Sequence, residues 1–463
     1  MPPIDRRLFL RSTAAAPLLA APLLAAPAAD GPAPDVRLAP FRFDVTPPRG
    51  HPLCGGWIKP VEAVDDELEA IGFVLLGAGK PVVVCAVDWT GLLNAAHVAW
   101  RTALAEAAGT TPDRVAVQCV HQHNAPFACL DAEATVAAQG DLPHIVEVDF
   151  FNRCLDRGRK AVADGLKRAR RVTHVATGKA KVDRVAGNRR VHRDANGKVL
   201  AMRGSSCKSE MLRGLPEGPI DPWLRTVAFF DKDVKVAACH YYATHPMSYY
   251  GDGRVSSDFD GLARKQRQAD EPGCRHVYFT GCAGDVAAGK YNDGSKGERA
   301  VLTRRVYDAI VAADKVLEPT PIARLAWQTS DVRPSARTDV TAAELEARIA
   351  DKTKPVVDRN RPAYQLAWVR RAARAAPPVV VSALHVNDAT LLHLPAEAFV
   401  EYQLRAQQLA PKRFVATAAY GDGGPWYIPT KDEFPAGGYE VREAYCGPDI
   451  DAALTAAARA VLG

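Results

Sequence analysis

Past its N-terminus, the 463-residue sequence lacks any apolar run of about 18 residues, the length a membrane-spanning helix needs. No transmembrane segment is therefore expected in the mature chain. The ten cysteines, Cys54, Cys85, Cys119, Cys129, Cys154, Cys207, Cys239, Cys274, Cys282 and Cys446, show no CxxC or other zinc-finger spacing. Cys85, Cys119 and Cys239 lie in apolar strands and read as small core residues; no disulfide pair can be assigned. There is no P-loop and no paired Asp/His pattern of a two-metal site, which leaves a phosphatase the weakest functional reading. Charge of one sign is also missing. The formal net charge of +6 includes Arg6, Arg7 and Arg11 near the N-terminus, so the mature balance is close to neutral and no nucleic-acid partner is expected. No internal repeat is visible.

What is present begins with a leader. "DRRLFLRS" sets Arg6 and Arg7 before Leu8, Phe9 and Leu10, and an Ala/Leu/Pro stretch follows. A charged start, a moderate apolar region and a small-residue site at Ala26-Pro27-Ala28 make a signal peptide. The paired arginines point to twin-arginine export, and Pro17, Pro22 and Pro27 interrupt the stretch as a membrane anchor would not allow. Residues 1–29 are expected to be this signal, 30–37 a linker and 38–463 a single domain, in a periplasmic or secreted protein.

Along the mature part, strands alternate with helices. "IGFVLLGAGKPVVVCAVDWTGL" reads as a hairpin ending on Asp88, "NAAHVAWRTALAEAAG" as a helix stopped by Gly109, and "VAVQCVHQHNAP" as the next strand. Strand, helix, strand argues for a buried parallel pairing. Further hairpins turn at Asp231-Lys232-Asp233 and Asn387-Asp388, and residues 341–375 suggest two helices. The expected fold is α/β: a large mixed, mostly parallel sheet flanked by helices, with ligands at the strand C-terminal ends.

Polar residues collect at those ends. Period-two alternation through Val115, Val117 and Cys119 carries on to His121 and His123, placing both imidazoles on one face. His245 ends another apolar run just before Pro246, Glu397 follows a third, and Tyr427 sits in a Gly/Pro-rich loop. Two histidines and a carboxylate can hold a catalytic zinc with a position left for water. Each residue also has an ordinary explanation. His245 could be a strand-end core histidine, Glu397 could cap the helix that follows, and His240 and His393 are rival ligands.

The ordered series "FDVTPP", "VVVCAVDWTGL", "VHQHNAP", "ATHPMS…SSDFDG", "GCAGDVAAGKYN", "LPAEAF" and "YIPTKDEF…GGYE" resembles the catalytic domain of the neutral/alkaline, non-lysosomal ceramidases. The resemblance implies zinc held by His121, His245, Glu397 and Tyr427, with His123 beside the reacting carbonyl. It suggests Asp88, Asn188, Arg189 and Asp258 as neighbouring or substrate-binding residues. The family's small-residue loop carries a serine important to amide cleavage; its place here reads Gly281, with Thr280 as the possible substitute. The family's larger members also carry a C-terminal immunoglobulin-like domain, which is not expected here. Both departures argue against ceramide itself. The implied activity is hydrolysis of an amide or related acyl bond by zinc-activated water, acting on a small-molecule or lipid-like N-acyl substrate. The alternative is an exported binding homologue without turnover.

Overall fold

The computed structural model describes residues 34–463 apart from residue 375, so the leader and most of the linker lie outside the described residues. Short, turn-forming connections set the architecture. Glu69–Leu76 and Val82–Val87 form an antiparallel hairpin joined through Gly77 and Gly79, both at positive φ. Trp223–Asp231 and Val234–Tyr242 are joined through Lys232 (φ 54°), and Val379–Val386 and Ala389–His393 through Asn387 (φ 52°). Left-handed turn residues match the twist of the flanking strands, and two-residue connections permit only antiparallel pairing.

Each hairpin is the centre of one of three units with the same connectivity. In the first, Arg37–Asp44 pairs with the first arm, and the second arm leads through the helix Ala95–Ala108 to Val115–Cys119, which pairs parallel to it. The helix Val148–Leu166 then packs back on the opening strands. The second unit repeats this with His174–Lys181, the 223–242 hairpin, the helix Asp258–Asp270, the parallel strand Arg275–Thr280 and the helix Lys296–Asp314. The third uses Leu325–Val332, the 379–393 hairpin, the helix Val400–Leu409, the strand Phe414–Ala418 and the helix Ile450–Leu462. The connection from opening strand to hairpin differs most among the units. In the third it holds the helices Ala342–Ala350 and Val356–Ala372, the first of them closed by a Thr341/Glu344 capping box.

Two expectations are corrected here. The core is not one large, mostly parallel sheet. It is three mixed sheets of five, five and four strands, and in each only one neighbouring pair is parallel. The tight hairpins enforce antiparallel pairing, and only the crossover helices allow a parallel partner. The chain also does contain a repeat, in connectivity. Three unrelated loop lengths hide it, and a core position accepts any apolar residue of suitable volume.

The three parallel pairs converge. Cys119 N donates to Tyr420 O (2.8 Å) and Ala419 N to Thr280 O (2.9 Å). The Thr280 hydroxyl donates to Val120 O (2.7 Å), and the buried Gln118 amide reaches Leu394 O and Ala419 O, both at 2.9 Å. These bonds satisfy backbone carbonyls that would otherwise be stranded where three sheets abut. Around them runs one continuous apolar core. Under the first unit Trp89, Trp100, Phe43 and Phe150 pack with neighbouring ring centroids 5.5–5.9 Å apart, Trp89 edge-on to Trp100, each ring contributing about 1.5–3 kcal/mol by leaving water. No helix among the described residues is long and apolar enough to cross a membrane.

Candidate metal centre and its cavity

One unit supplies each member of a buried triad. His121 follows the first unit's parallel strand, His245 follows the second unit's hairpin, and Glu397 follows the third's. The strand Val115–Cys119 stops short of the histidine pair, and His121 itself has φ 79°. The alternation expected to carry both rings onto one face is thus broken by a left-handed residue. The rings nonetheless reach the same cavity, edge to face, with centroids 4.9 Å apart. Ala396, Tyr420 and Trp426 are also left-handed, at φ 53°, 61° and 62°. Non-glycine residues in this region cost about 1–3 kcal/mol each and persist where the surroundings over-determine them. Here they sit in or beside the segments carrying His121, Glu397 and Tyr427.

The two imidazoles are oriented by backbone carbonyls. His121 Nδ1–H donates to Thr90 O and His245 Nδ1–H to Ala283 O, both at 2.6 Å. Each Nε2 is left with its lone pair facing the other, 3.2 Å away. Glu397 Oε2 stands 3.2 Å from His121 Nε2 and 3.1 Å from His245 Nε2, yet has a hydrogen-bond angle to neither. Three acceptor atoms thus converge without a donor. A cation would satisfy all three atoms at once, and carbonyl-braced histidines with a carboxylate are a donor set that suits zinc. A tetrahedron with zinc–nitrogen lengths of about 2.0–2.1 Å has edges of about 3.3 Å, close to the observed separations. The residues present fit the ion. Burial raises the Glu397 carboxyl; positive charge at His121 and His245 outweighs it and pulls the carboxyl well below the usual carboxylate range, so the carboxylate is held wherever positive charge sits at this cluster. Glu397 does not cap the following helix; the first amide there, Val400 N, donates to Asp285 Oδ1 at 2.9 Å.

The triad opens into a cavity of about 440 Å³. His123, Tyr427 and Arg189 line it. Tyr427 pairs in register with Glu397 through the short parallel strands Glu397–Ala398 and Tyr427–Ile428, and its ring stacks 6.4 Å from that of His245. Burial, then the Glu397 charge, push its phenol well above the ordinary value. His123 Nδ1 is buried without a partner, and burial, then His121 and His245, hold the ring neutral far below the usual imidazole range. Arg189 Nε lies 3.2 Å from Glu440 Oε1.

The other residues singled out from the sequence do not line this cavity. Thr280 spends its hydroxyl on Val120 O, as described above. A side chain at Gly281 would run into Gln403 Oε1 and press on Ala243, so that position faces the third unit's helix and not the cavity. Asp88 accepts from Glu69 N (3.0 Å) and pairs with Arg264 (3.4 Å), while its carbonyl accepts from the Gln122 amide between the two histidines. Asn188 donates to Asp285 (2.7 Å) and accepts from Arg190 N (2.9 Å). Asp258 accepts from the Ser248 hydroxyl at 2.6 Å and faces Arg299. These three brace segments adjoining the site. The rival ligands are elsewhere: His240 bonds Thr226 and His276 (both 2.9 Å), and His393 bonds the Ser382 hydroxyl (3.2 Å). A second group of ligand-type atoms, Glu271, Cys274 and His276, is already committed, because Lys235 and Arg267 both donate to Glu271. All ten cysteines are buried and unpaired.

Several residues in or behind the cavity had no sequence signal. Behind its lining, the buried Tyr420 stacks on His121 with centroids 4.3 Å apart. Arg361, Trp57, Tyr250 and Trp426 arrive from unrelated loops and a helix. Tyr439 lies in the "GGYE" segment of the resemblance but carried no assigned role.

Three hairpin-and-crossover units clasping a His/His/Glu centre define a class of α/β protein. No family model matches the chain, and no curated protein matches it by sequence. Solved structures do: a neutral ceramidase from Pseudomonas aeruginosa and a ceramidase complexed with C2 each superpose at a TM-score of 0.66 over 93% of this chain and 75% of theirs, at 16% identity. The chain has the fold of these two ceramidase structures, and at 16% identity the likeness is one of fold.

Proposed function

We propose that this chain is an exported, zinc-dependent hydrolase of an amide or related acyl bond. The observation that carries the reading is the convergence of His121 Nε2, His245 Nε2 and Glu397 Oε2 without a donor, at the floor of an open cavity. Support comes from the named activity of the structural neighbours and from the leader-like N-terminus.

His121, His245 and Glu397 would hold the ion, with Tyr427 as the fourth neighbour; when bound, zinc supplies Lewis acidity and lowers the pKa of water. The chain's own residues do the remaining work. The Nδ1–H bonds to Thr90 and Ala283 fix both ligand rings in one tautomer. The His123 ring lines the cavity beside both ligand histidines, where a donor would stabilise the oxyanion that forms as the carbonyl is attacked. Trp57, Tyr250, Trp426 and Tyr439 give the cavity apolar walls, and a substrate that fills it would displace water and strengthen these interactions. Hydrolysis breaks the acyl C–N bond and forms C–OH, and the leaving nitrogen takes the second proton of water.

The test has two stages. Protein lacking the leader and purified without chelator is expected to hold about one zinc per chain by mass spectrometry. It is then expected to hydrolyse members of a panel of N-acyl amines, with turnover lost in His121→Ala. A second reading, a binding homologue without turnover, is favoured by one observation: neither Thr280 nor a side chain at position 281 would reach the cavity. Zinc-loaded protein that turns over no amide, ester or lactone would overturn the hydrolase reading and leave this one.

A further inference from the structure

One wall of the cavity carries positive charge that cleaving an amide does not require. Arg361, on the helix Val356–Ala372, lies over the Trp57 ring at 5.2 Å and reaches the Tyr439 ring at 6.0 Å. Its Nη2 donates to the Tyr439 hydroxyl (2.9 Å) and stands 3.2 Å from Glu443. Its Nε is buried with no hydrogen-bond partner. Arg189 approaches the same Tyr439 ring at 5.6 Å, and its Nε also lacks a hydrogen bond despite the nearby Glu440.

Apart from Glu397 of the triad, the carboxylates near this wall are shared among arginines and not paired one to one. Glu440 is divided between Arg189 and Arg190, Glu433 between Arg190 and Arg193, and Glu443 between Arg361 and Arg442. Five guanidinium groups share three carboxylates. A guanidinium over an aromatic ring can still meet a planar anion with its in-plane N–H groups, and on Arg361 the group left without a partner is Nε, Nη2 being held by Tyr439 and Glu443. A buried donor without a partner costs about 1–3 kcal/mol until something fills it, and a carboxylate fills such a fork best.

We propose that the amide substrate carries a carboxylate on its amine side, as an N-acyl amino acid does, and that Arg361 with Arg189 receives it. This rests on the hydrolase reading and names its substrate class. The volume agrees. A cavity of about 440 Å³ lies toward the small end of ligand sites, about 300–1,000 Å³. It has room for a compact head group and the start of one acyl chain. The products are a fatty acid and a free amino acid: water's oxygen goes to the acyl carbon and one of its protons to the released nitrogen.

The experiment compares N-dodecanoylglycine with its neutral isostere, N-dodecanoylglycinamide, on the zinc-loaded wild type, Arg361→Gln and Arg361→Lys. The wild type is expected to prefer the acid by about 10- to 100-fold in kcat/KM, the range of a charge-assisted hydrogen bond. Arg361→Gln brings the ratio close to one, and Arg361→Lys keeps part of it. Equal rates on acid and amide in the wild type, or a ratio untouched by Arg361→Gln, overturn the assignment. Should neither compound be hydrolysed, the hydrolase reading is in trouble, and calorimetric binding of the same pair still decides this one. Tighter binding of the acid, weakened in Arg361→Gln, upholds it; equal or absent binding overturns it.

Discussion

Replacing Glu397 by Gln keeps the size and shape of the side chain and removes its charge, so it isolates what the carboxylate does among three convergent acceptors. If a zinc ion is held there, loading stabilises the native state by RT ln(1 + [Zn]/Kd), about 2.7 kcal/mol at a hundredfold excess over Kd. A folded unit of about 430 residues unfolds with an entropy of roughly 0.9 kcal/mol/K at about 2.1 cal/mol/K per residue. Loading should therefore raise Tm by about 3 °C, and each further tenfold of free zinc should add about 1.5 °C. In Glu397→Gln one of three closely spaced anchors (3.1–3.2 Å) becomes a neutral amide. A weakening of 100-fold or more would cut the shift to under about 1 °C at the same zinc concentration. The assay is calorimetry or intrinsic fluorescence on chelator-stripped protein titrated with zinc, reading the shift in each variant and not its absolute Tm. Whatever the substitution does to the metal-free fold then cancels. An equal shift in both proteins would remove Glu397 from the ligand set. No shift in the wild type, with no zinc retained by mass spectrometry, would remove the metal altogether.

Other expectations follow from the same geometry. Burial holds His51 and His97 neutral with pKa values down at about 4, and His240 and His393 at about 3. Because the unfolded chain takes up these protons near pH 6.5 and the folded one does not, stability is full above pH 6.5 and falls as pH drops toward 4. His97 alone accounts for about 3 kcal/mol; urea unfolding at stepped pH reads this, and a flat profile between pH 7 and 4.5 contradicts it. Thr280→Val should lose one buried hydrogen bond, about 1–3 kcal/mol, while kcat stays within about twofold; a hundredfold drop in kcat in a folded variant would return Thr280 to the reaction. Gly281→Ala should cost about 1–3 kcal/mol by overpacking against Gln403, which is pinned by Cys282 N (3.1 Å) and Asp221 (2.7 Å); denaturation midpoints at or above the wild type would show that Gln403 yields freely.

Local elements were legible where one physical signal dominated. The three hairpins showed themselves as apolar runs broken by Gly-Ala-Gly-Lys, Lys-Asp and Asn-Asp, because turn chemistry is set by neighbouring residues. The residues expected at the metal, His121, His245, Glu397 and Tyr427, all lie at one cavity; a buried polar residue needs a partner, and the clustering of several near strand ends was the signal, one that Asp88, His240 and His393 share without lining the cavity. Sheet composition was not legible: the same buried Val-rich arm serves a parallel and an antiparallel neighbour at once, as Val82–Val87 does. Whether Asp88, Asn188 and Asp258 neighbour the site or touch a substrate was likewise not legible in the sequence; they lie beside the cavity and do not line it. A buried carboxylate or amide bracing a backbone and one touching a ligand look alike in one dimension, and only the hydrogen-bond partners separate them. Arg361 could not have been found at all, since on its helix it is one arginine among several.

The way the triad is shared among the three units bears on how the chain comes apart. Its ten cysteines form no cross-link, and residues 121, 245 and 397 are separated by loops of roughly 120 and 150 residues. In the chain-entropy model, tying off even a 100-residue loop removes about 4.7 kcal/mol of freedom from the denatured chain. An ion gripped by all three units would act as a reversible staple at their junction. It would have to let go before any unit could peel away, so the same three side chains would set both the chemistry of the site and the lifetime of the fold.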